Sequence, residues 1–244
     1  MTKRPAPLLV LRDIEKTRRD SERVFTLKVS RLNLYAGDRI GLVGANGSGK
    51  STLIGLLALA GPPDHAKIFQ LNEGGRAIDV AAAWEKQRET ALTSARARLV
   101  AYVAQRDGLL DFLTIGENIR LGARLAGERR DAVRDVVEAL DLSALVKAYP
   151  SSLSGGQRQR AAVACALARR PKLILADEPT ASLDEANTRQ VMDSLCQLAS
   201  EQGAALIVAT HQLSLLDRYA MTRLEPLACG SSKSRTSLIE RPAA

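Results

Sequence analysis

The chain has 244 residues, enough for one large α/β domain or a core plus a subdomain. It is 45% hydrophobic but only 3% aromatic, so Leu, Val, Ile and Ala must fill the core, and no aromatic–basic stripe offers a platform for stacked bases. A net charge of +8, from 35 basic and 27 acidic side chains, reads as an Arg-rich solvated surface rather than a dedicated nucleic-acid face.

Leu8–Leu11 is a short apolar run expected as a first strand, and the charged Arg12–Arg23 reads as a turn or exposed hairpin. Phe25, Leu27 and Val29 alternate, and Leu32 and Leu34 alternate in a shifted phase, which predicts a bulge or turn near Ser30-Arg31. Arg39–Val43 is a buried strand and Thr52–Leu59 a buried helix. Lys67–Leu71 and Arg76–Val80 pair as a hairpin across Asn72–Gly75. Ala81–Arg98 is expected to be helical, with Trp84 as packing, and Leu99–Val103 is a second core strand. Arg106–Pro150 is mostly helical. Thr114-Ile115-Gly116-Glu117 is a capping box, and Val133, Val136, Val137 and Leu140 share one helical face. Lys172–Ala176 and Ala205–Ala209 are further core strands. Ser182-x-x-Glu185 reads as a second capping box, opening a helix with Val191, Leu195 and Leu198 on one face. From Cys229 the Ser- and Arg-rich chain has no periodicity and is expected as a weakly ordered tail, 229–244.

The cysteines Cys165, Cys196 and Cys229 are odd in number and far apart, which suits free thiols in a reducing compartment. No stretch is long enough to span a bilayer and no signal core opens the chain. A cytoplasmic protein is therefore expected, and any membrane function needs another chain.

Gly44-Ala45-Asn46-Gly47-Ser48-Gly49-Lys50-Ser51-Thr52 fits G-x-x-x-x-G-K-[ST] between a strand and a helix. The glycines let backbone N–H groups curl toward an anion, and the helix start adds its positive dipole end. Lys50 supplies charge for the outer phosphates, and the Ser51 hydroxyl is a hard oxygen for Mg2+. Asp177 ends the run Leu173–Ala176, where a carboxylate can hold Mg2+. Glu178 beside it suits a base for an attacking water. Gln105 and His211 end two other strands, and the ends of parallel strands are where such sheets bind ligands. Ser154, followed by Gly155, Gly156 and Gln157, is an N-cap for an Ala-rich helix and a second anion-binding start. It binds either another anion or a phosphate held by a second copy.

These motifs, in this order, resemble the nucleotide-binding domains of ATP-binding cassette (ABC) proteins from about Leu8 to Arg223. Gly44–Thr52 looks like Walker A, Gln105 like the Q-loop glutamine and Leu153–Gln157 like the LSGGQ signature. Leu173–Glu178 looks like Walker B, Ala181–Asp184 like the D-loop and His211 like the switch histidine. The resemblance implies an α/β P-loop fold with a mostly parallel core sheet, an N-terminal antiparallel β subdomain and an inserted helical subdomain. An ABC ATPase domain at 1–228 would hold that subdomain at about 106–165.

The resemblance also implies two copies paired head to tail around two ATP molecules. Lys50, Gln105, Asp177, Glu178 and His211 of one would face Ser154, Gly155 and Gly156 of the other, with Asp184 across the interface. Ser51, Gln105 and Asp177 would hold Mg2+. A membrane permease would dock near residues 105–114, where Leu109, Leu110, Phe112 and Leu113 would line a groove or pack as subdomain core. The chain would then work at the inner face of the membrane, closest in type to lipoprotein-releasing and macrolide-exporting systems. A soluble ABC ATPase acting on nucleic acid or ribosomes is the alternative; nucleic acid is not the expected partner.

Three positions depart from the family pattern. No aromatic occupies Lys3–Val24, where one would stack on adenine, leaving Phe25 or Arg18 for that contact. Cys165 replaces a common Arg, and the segment from Thr52 to Gln105 is longer than usual.

Overall fold

The computed structural model describes residues 6–19, 24–105, 108–181, 183–230 and 234–240. The chain forms two compact units, one from Met1–Thr93 with His211–Ala244 and one from Ser94–Thr210.

The first unit is built on a six-stranded sheet. β1 (Leu9–Arg19) and β2 (Val24–Leu34) form a long antiparallel hairpin. β4 (His65–Glu73) lies on the other side of β1, and β5 (Arg76–Asp79) follows it. The β4–β5 turn is Gly74-Gly75, both with positive φ (54° and 91°), as a two-residue hairpin of matching twist requires. Leu9, Leu11, Ile14, Leu27, Val29, Phe69 and Leu71 are fully buried along these strands, each worth about 1.5–3 kcal/mol of transfer free energy. Residues Arg12–Arg19, expected as a turn or exposed hairpin, thus continue the strand. β1 has partners on both sides over residues 9–15, which local charge does not reveal.

The phase shift near Ser30-Arg31 has two expressions. Against β1 the register is unbroken, with Leu11 opposite Leu32 and Ile14 opposite Val29, and Asp13 between them takes φ 48°. Against β11 (Ser234–Glu240) the register steps from Val29 to Arg31, leaving Ser30 as the extra residue of a bulge.

β11 pairs parallel with β2 and antiparallel with β10 (Leu227–Gly230). Of the segment expected as a weak tail, 229–244, residues 229–230 and 234–240 lie in β10 and β11. Ile239 and Ser237 are fully buried, and the order comes from the open edge of β2, not from any pattern inside the segment. β3 (Arg39–Leu42) pairs parallel with β9 (Thr222–Leu224), and α1 (Lys50–Leu57) follows β3. α2 (Val80–Glu85) is capped by Asp79, which accepts from Ala82 N–H at 3.0 Å. α8 (Leu213–Arg218) puts Leu216 against Gly41 of β3, where an added Cβ would stand 2.9 Å from Leu216 Cγ.

The single helix expected over 81–98 is two. The chain leaves α2 at Lys86, passes Gln87 at φ 50°, and restarts as α3 (Glu89–Leu99), inside which the boundary between the units falls.

In the second unit β6 (Val100–Val103), β7 (Leu173–Asp177) and β8 (Ala205–Ala209) pair in parallel in that order. All five residues of β8 are fully buried, as a strand covered on both faces must be. Helices α4 (Ile115–Ala126), α5 (Arg130–Ala139), α6 (Gly155–Leu167) and α7 (Glu185–Glu201) complete it. The Thr114 capping box forms in full: Glu117 N–H donates to Thr114 Oγ1 at 3.3 Å, and Thr114 N–H to Glu117 Oε2 at 2.8 Å. α4 and α6 touch at Gly122, where an added Cβ would stand 2.8 Å from the Cys165 carbonyl. Val191, Leu195 and Leu198 are buried along α7 as expected. Its N-cap, however, is Asp184; Ser182 lies outside the described residues.

Candidate functional site

In the first unit the site is the loop from β3 to α1. Gly44, Gly47 and Gly49 hold φ of 140°, 74° and 98°, a curl that L side chains resist. Ser48 N–H bonds to Ala45 O at 3.1 Å and tightens the loop. Lys50 is buried, and its Nζ donates to the carbonyls of Gly44 (2.6 Å) and Ala45 (3.2 Å), so its charge lies against the loop it must serve. Gly49 caps α1 without any side-chain bond, which leaves the first-turn N–H groups to an anion. Ser48 Oγ is buried with no hydrogen-bond partner among the described residues. An orphaned hydroxyl, an uncapped helix start and a buried ammonium on one curled loop fit a phosphate group.

Ala45, Asn46, Gly47 and Ser51 are exposed and Thr52 is half-buried. The Phe25 ring lies on Gly49, where an added Cβ would stand 2.7 Å from Cζ. Phe25 thus backs the loop, and Arg18 stands opposite it in β1. His211 is exposed in this unit, immediately after Thr210.

In the second unit Asp177 closes β7 and Gln105 lies exposed beyond β6. Glu178 follows in a left-handed conformation, φ 49°, which costs a non-glycine residue about 1–2 kcal/mol. Its N–H donates to Ala209 O (2.9 Å), and its carbonyl accepts from Ala181 N–H (3.2 Å), so the strained turn is held from both sides.

Tyr102 was not singled out by sequence. Burial, then the Asp177 charge and a hydrogen bond to it, push the Tyr102 hydroxyl above its ordinary range. Tyr102 thus stands beside the carboxylate expected to meet the metal. The only signal was an aromatic in β6 three residues before Gln105.

Ser154 caps α6 as expected, and Gln157 completes a capping box that sequence reading missed. Gln157 N–H donates to Ser154 Oγ (3.3 Å), and Ser154 N–H to Gln157 Oε1 (2.9 Å). Gly155 is exposed with nothing within 4 Å of an added Cβ, while Gly156 is buried. Asp184 is exposed. Its Oδ1 accepts from Asn187 N–H (2.8 Å) and its Oδ2 from Asn187 Nδ2 (2.9 Å), bonds that hold its carboxyl below the usual range. Phe112 (76% exposed) and Leu110 (38%) stand on the surface rather than in the core. Asn118 holds this loop: its Nδ2 donates to the carbonyls of Leu110, Leu113 and Thr114, each at 3.1 Å.

A strand, a left-handed glycine loop and a lysine-bearing helix define a P-loop nucleotide-binding protein. Comparison with known proteins narrows this class: the ABC transporter family profile matches residues 27–181. The lipoprotein-releasing system ATP-binding protein LolD 2 of Caulobacter vibrioides is 38% identical over 86% of this chain and 90% of its own. The macrolide export ATP-binding/permease protein MacB of Shigella flexneri is also 38% identical, over 84% of this chain but 31% of its own length. A solved dimer of the cassette MJ0796, in a post-hydrolysis state bound to ADP and phosphate, superposes with a TM-score of 0.74. It is 26% identical, and the match covers 96% of this chain and 97% of that one.

The chain therefore belongs to the ABC transporter family, as an ATP-binding and ATP-hydrolysing subunit. The fold is the α/β ABC cassette that the motifs implied. The relatives favour the transporter reading over the soluble, nucleic-acid one. No helix among the described residues is long and apolar enough to cross a membrane.

Proposed function

We propose that this chain is the ATPase of a transporter of the lipoprotein-releasing or macrolide-exporting kind, working as a homodimer beneath a membrane permease. The match takes in 90% of the length of the LolD relative and, in MacB, 31% of a protein named as both ATP-binding and permease, so in both it falls on an ATP-binding part of a transporter. The observation that carries the reading is the phosphate loop, with Lys50 drawn onto Gly44 and Ala45 and Ser48 Oγ waiting for an acceptor or donor.

Residues Gly44–Thr52 bind the ATP phosphates, and Ser154, Gly155, Gly156 and Gln157 of the second copy close on the same nucleotide. Gln157 acts there chiefly by fixing Ser154. Glu178 takes the proton of the attacking water, with its backbone already pinned. Gln105 orients that water, and His211 hydrogen-bonds the terminal phosphate. Ser51, Gln105 and Asp177 would hold Mg2+, which neutralises phosphate charge when bound; Tyr102 orients Asp177. The ABC ATPase domain extends over 1–228, with a helical subdomain at about 106–165, and the permease docks near residues 105–114, onto Phe112 and Leu110. The chain then sits at the cytoplasmic face of the membrane.

Glu178→Gln tests this. ATP binding is retained, phosphate release falls about 100- to 10,000-fold, and ATP drives a dimer seen by light scattering. Turnover near that of the unaltered chain would remove Glu178 from the role of base.

A further inference from the structure

Asn187 has no part in the chemistry described so far. It sits three residues into the α7 region, and its amide fills the space that a side chain on Gly156 would need. An added Cβ on Gly156 would stand 2.6 Å from Asn187 Oδ1, 2.7 Å from Cγ and 3.1 Å from Nδ2. The same amide is fixed from behind, because Asp184 takes both its Nδ2 (2.9 Å) and its backbone N–H (2.8 Å). Two helix starts are thereby wedged at one distance, that of α6 with its Ser154 cap and that of α7 with its Asp184 cap. Glycine at 156 is explained inside one chain. At 155 nothing among the described residues lies within 4 Å of an added Cβ.

We infer that Asn187 is a positioning residue that couples the Asp184 turn to the Ser154–Gly156 turn, setting where this chain's signature meets the nucleotide of a second copy. The inference rests on the proposed head-to-tail dimer. A displacement of Asp184 is transmitted through the Asn187 amide to the bare Cα of Gly156, since a close-packed contact moves as a unit. The amide suits this place. Alanine would leave a gap, and aspartate would set a second carboxylate against Asp184.

The test uses the full chain in the Glu178→Gln background, with Asn187→Ala, Gly156→Ala and the two combined. The added methyl of Gly156→Ala partly refills the gap of Asn187→Ala, so the combination separates a wedge from two unrelated lesions. Expected for Asn187→Ala is a rise of about tenfold in the ATP concentration for half-maximal dimerisation. The affinity of the dilute monomer for a fluorescent ATP analogue stays unchanged, because the signature does not touch its own chain's nucleotide. Gly156→Ala shifts dimerisation the same way, and the double variant lies closer to the background than either single variant.

Hydrogen exchange at the Gln157 and Arg158 amides is read on the monomer. It speeds up in Asn187→Ala and recovers in the double variant. Unchanged exchange and dimerisation in Asn187→Ala would overturn the inference, as would single effects that simply add. If the background itself fails to dimerise with ATP, the dimer reading falls and the coupled role with it, while exchange still decides whether Asn187 holds the Gly156 turn.

Discussion

Gly41→Ala places a methyl where β3 meets α8. The new Cβ would stand 2.9 Å from Leu216 Cγ and closer still to both methyls of that side chain, which has no exposed surface. Carbon atoms rest at about 3.5–4.0 Å, so Leu216 must retreat by roughly an ångström into packed surroundings. Overpacking of this kind costs about 1–3 kcal/mol, and replacing a strand glycine returns about 0.5–1 kcal/mol. The expected net loss is about 1–2 kcal/mol. Leu216→Ala alone leaves a cavity and loses about 2–5 kcal/mol. Combined, the methyl and the cavity partly cancel, so the double variant is more stable than the sum predicts by about 1–3 kcal/mol. Urea unfolding followed by far-UV circular dichroism, read as midpoints at unchanged slope, measures all three. Strict additivity within about 0.5 kcal/mol would refute the contact, and with it the account of how α8 seats the strand that feeds the phosphate loop.

Glu178→Gly relieves a left-handed backbone and Glu178→Ala does not, so the glycine variant is expected to unfold at higher urea, by about 1 kcal/mol after glycine's own flexibility is counted, while both lose turnover; a less stable glycine variant contradicts the strain. Burial pushes the Cys165 thiol up to about 12, and Cys196 is buried, so neither labels with a thiol reagent at pH 8 until the chain is denatured; peptide mapping that finds either modified in the native protein counts against this. Asp184, held below its usual value of 3.8 by Asn187, adds stability that is complete above that value and is lost as pH falls through its lowered pKa. The stability deficit of Asp184→Ala should therefore close only in that acidic range, and a deficit that persists at lower pH assigns it to something other than the carboxylate.

The parts legible in the sequence were those with short-range causes. The glycines of 44–49 announce their own backbone, Thr114-x-x-Glu117 its cap, and the unbroken apolar runs at 173–176 and 205–209 their double-sided burial. Long-range pairing was not legible. Charged residues 12–19 became strand because β2 receives them along their whole length, and 234–240 because β2's far edge lay open. The α7 cap was read two residues early because Ser182 and Asp184 are both competent caps and only the fold chooses. Of the two candidates for the adenine contact, Phe25 is engaged under Gly49, a contact between segments more than twenty residues apart that no local pattern announces. Asn187 and Tyr102 escaped for the same reason: each matters through a neighbour, Gly156 or Asp177, that sequence distance hides.

The pairing of β11 with β2 also imposes an order of events during synthesis. β2 ends at Leu34 and its partner spans Ser234–Glu240, so about 200 residues must be translated before that edge is closed. At about 5–20 residues per second this leaves β2 open on the ribosome for roughly 10–40 seconds. The second unit, contiguous from Ser94 to Thr210, emerges complete in the meantime. An unpaired strand edge is a template for another chain. Nascent copies on one polysome would expose the same edge side by side, so slower translation of the residues between β2 and β11 is expected to lower the yield of native protein.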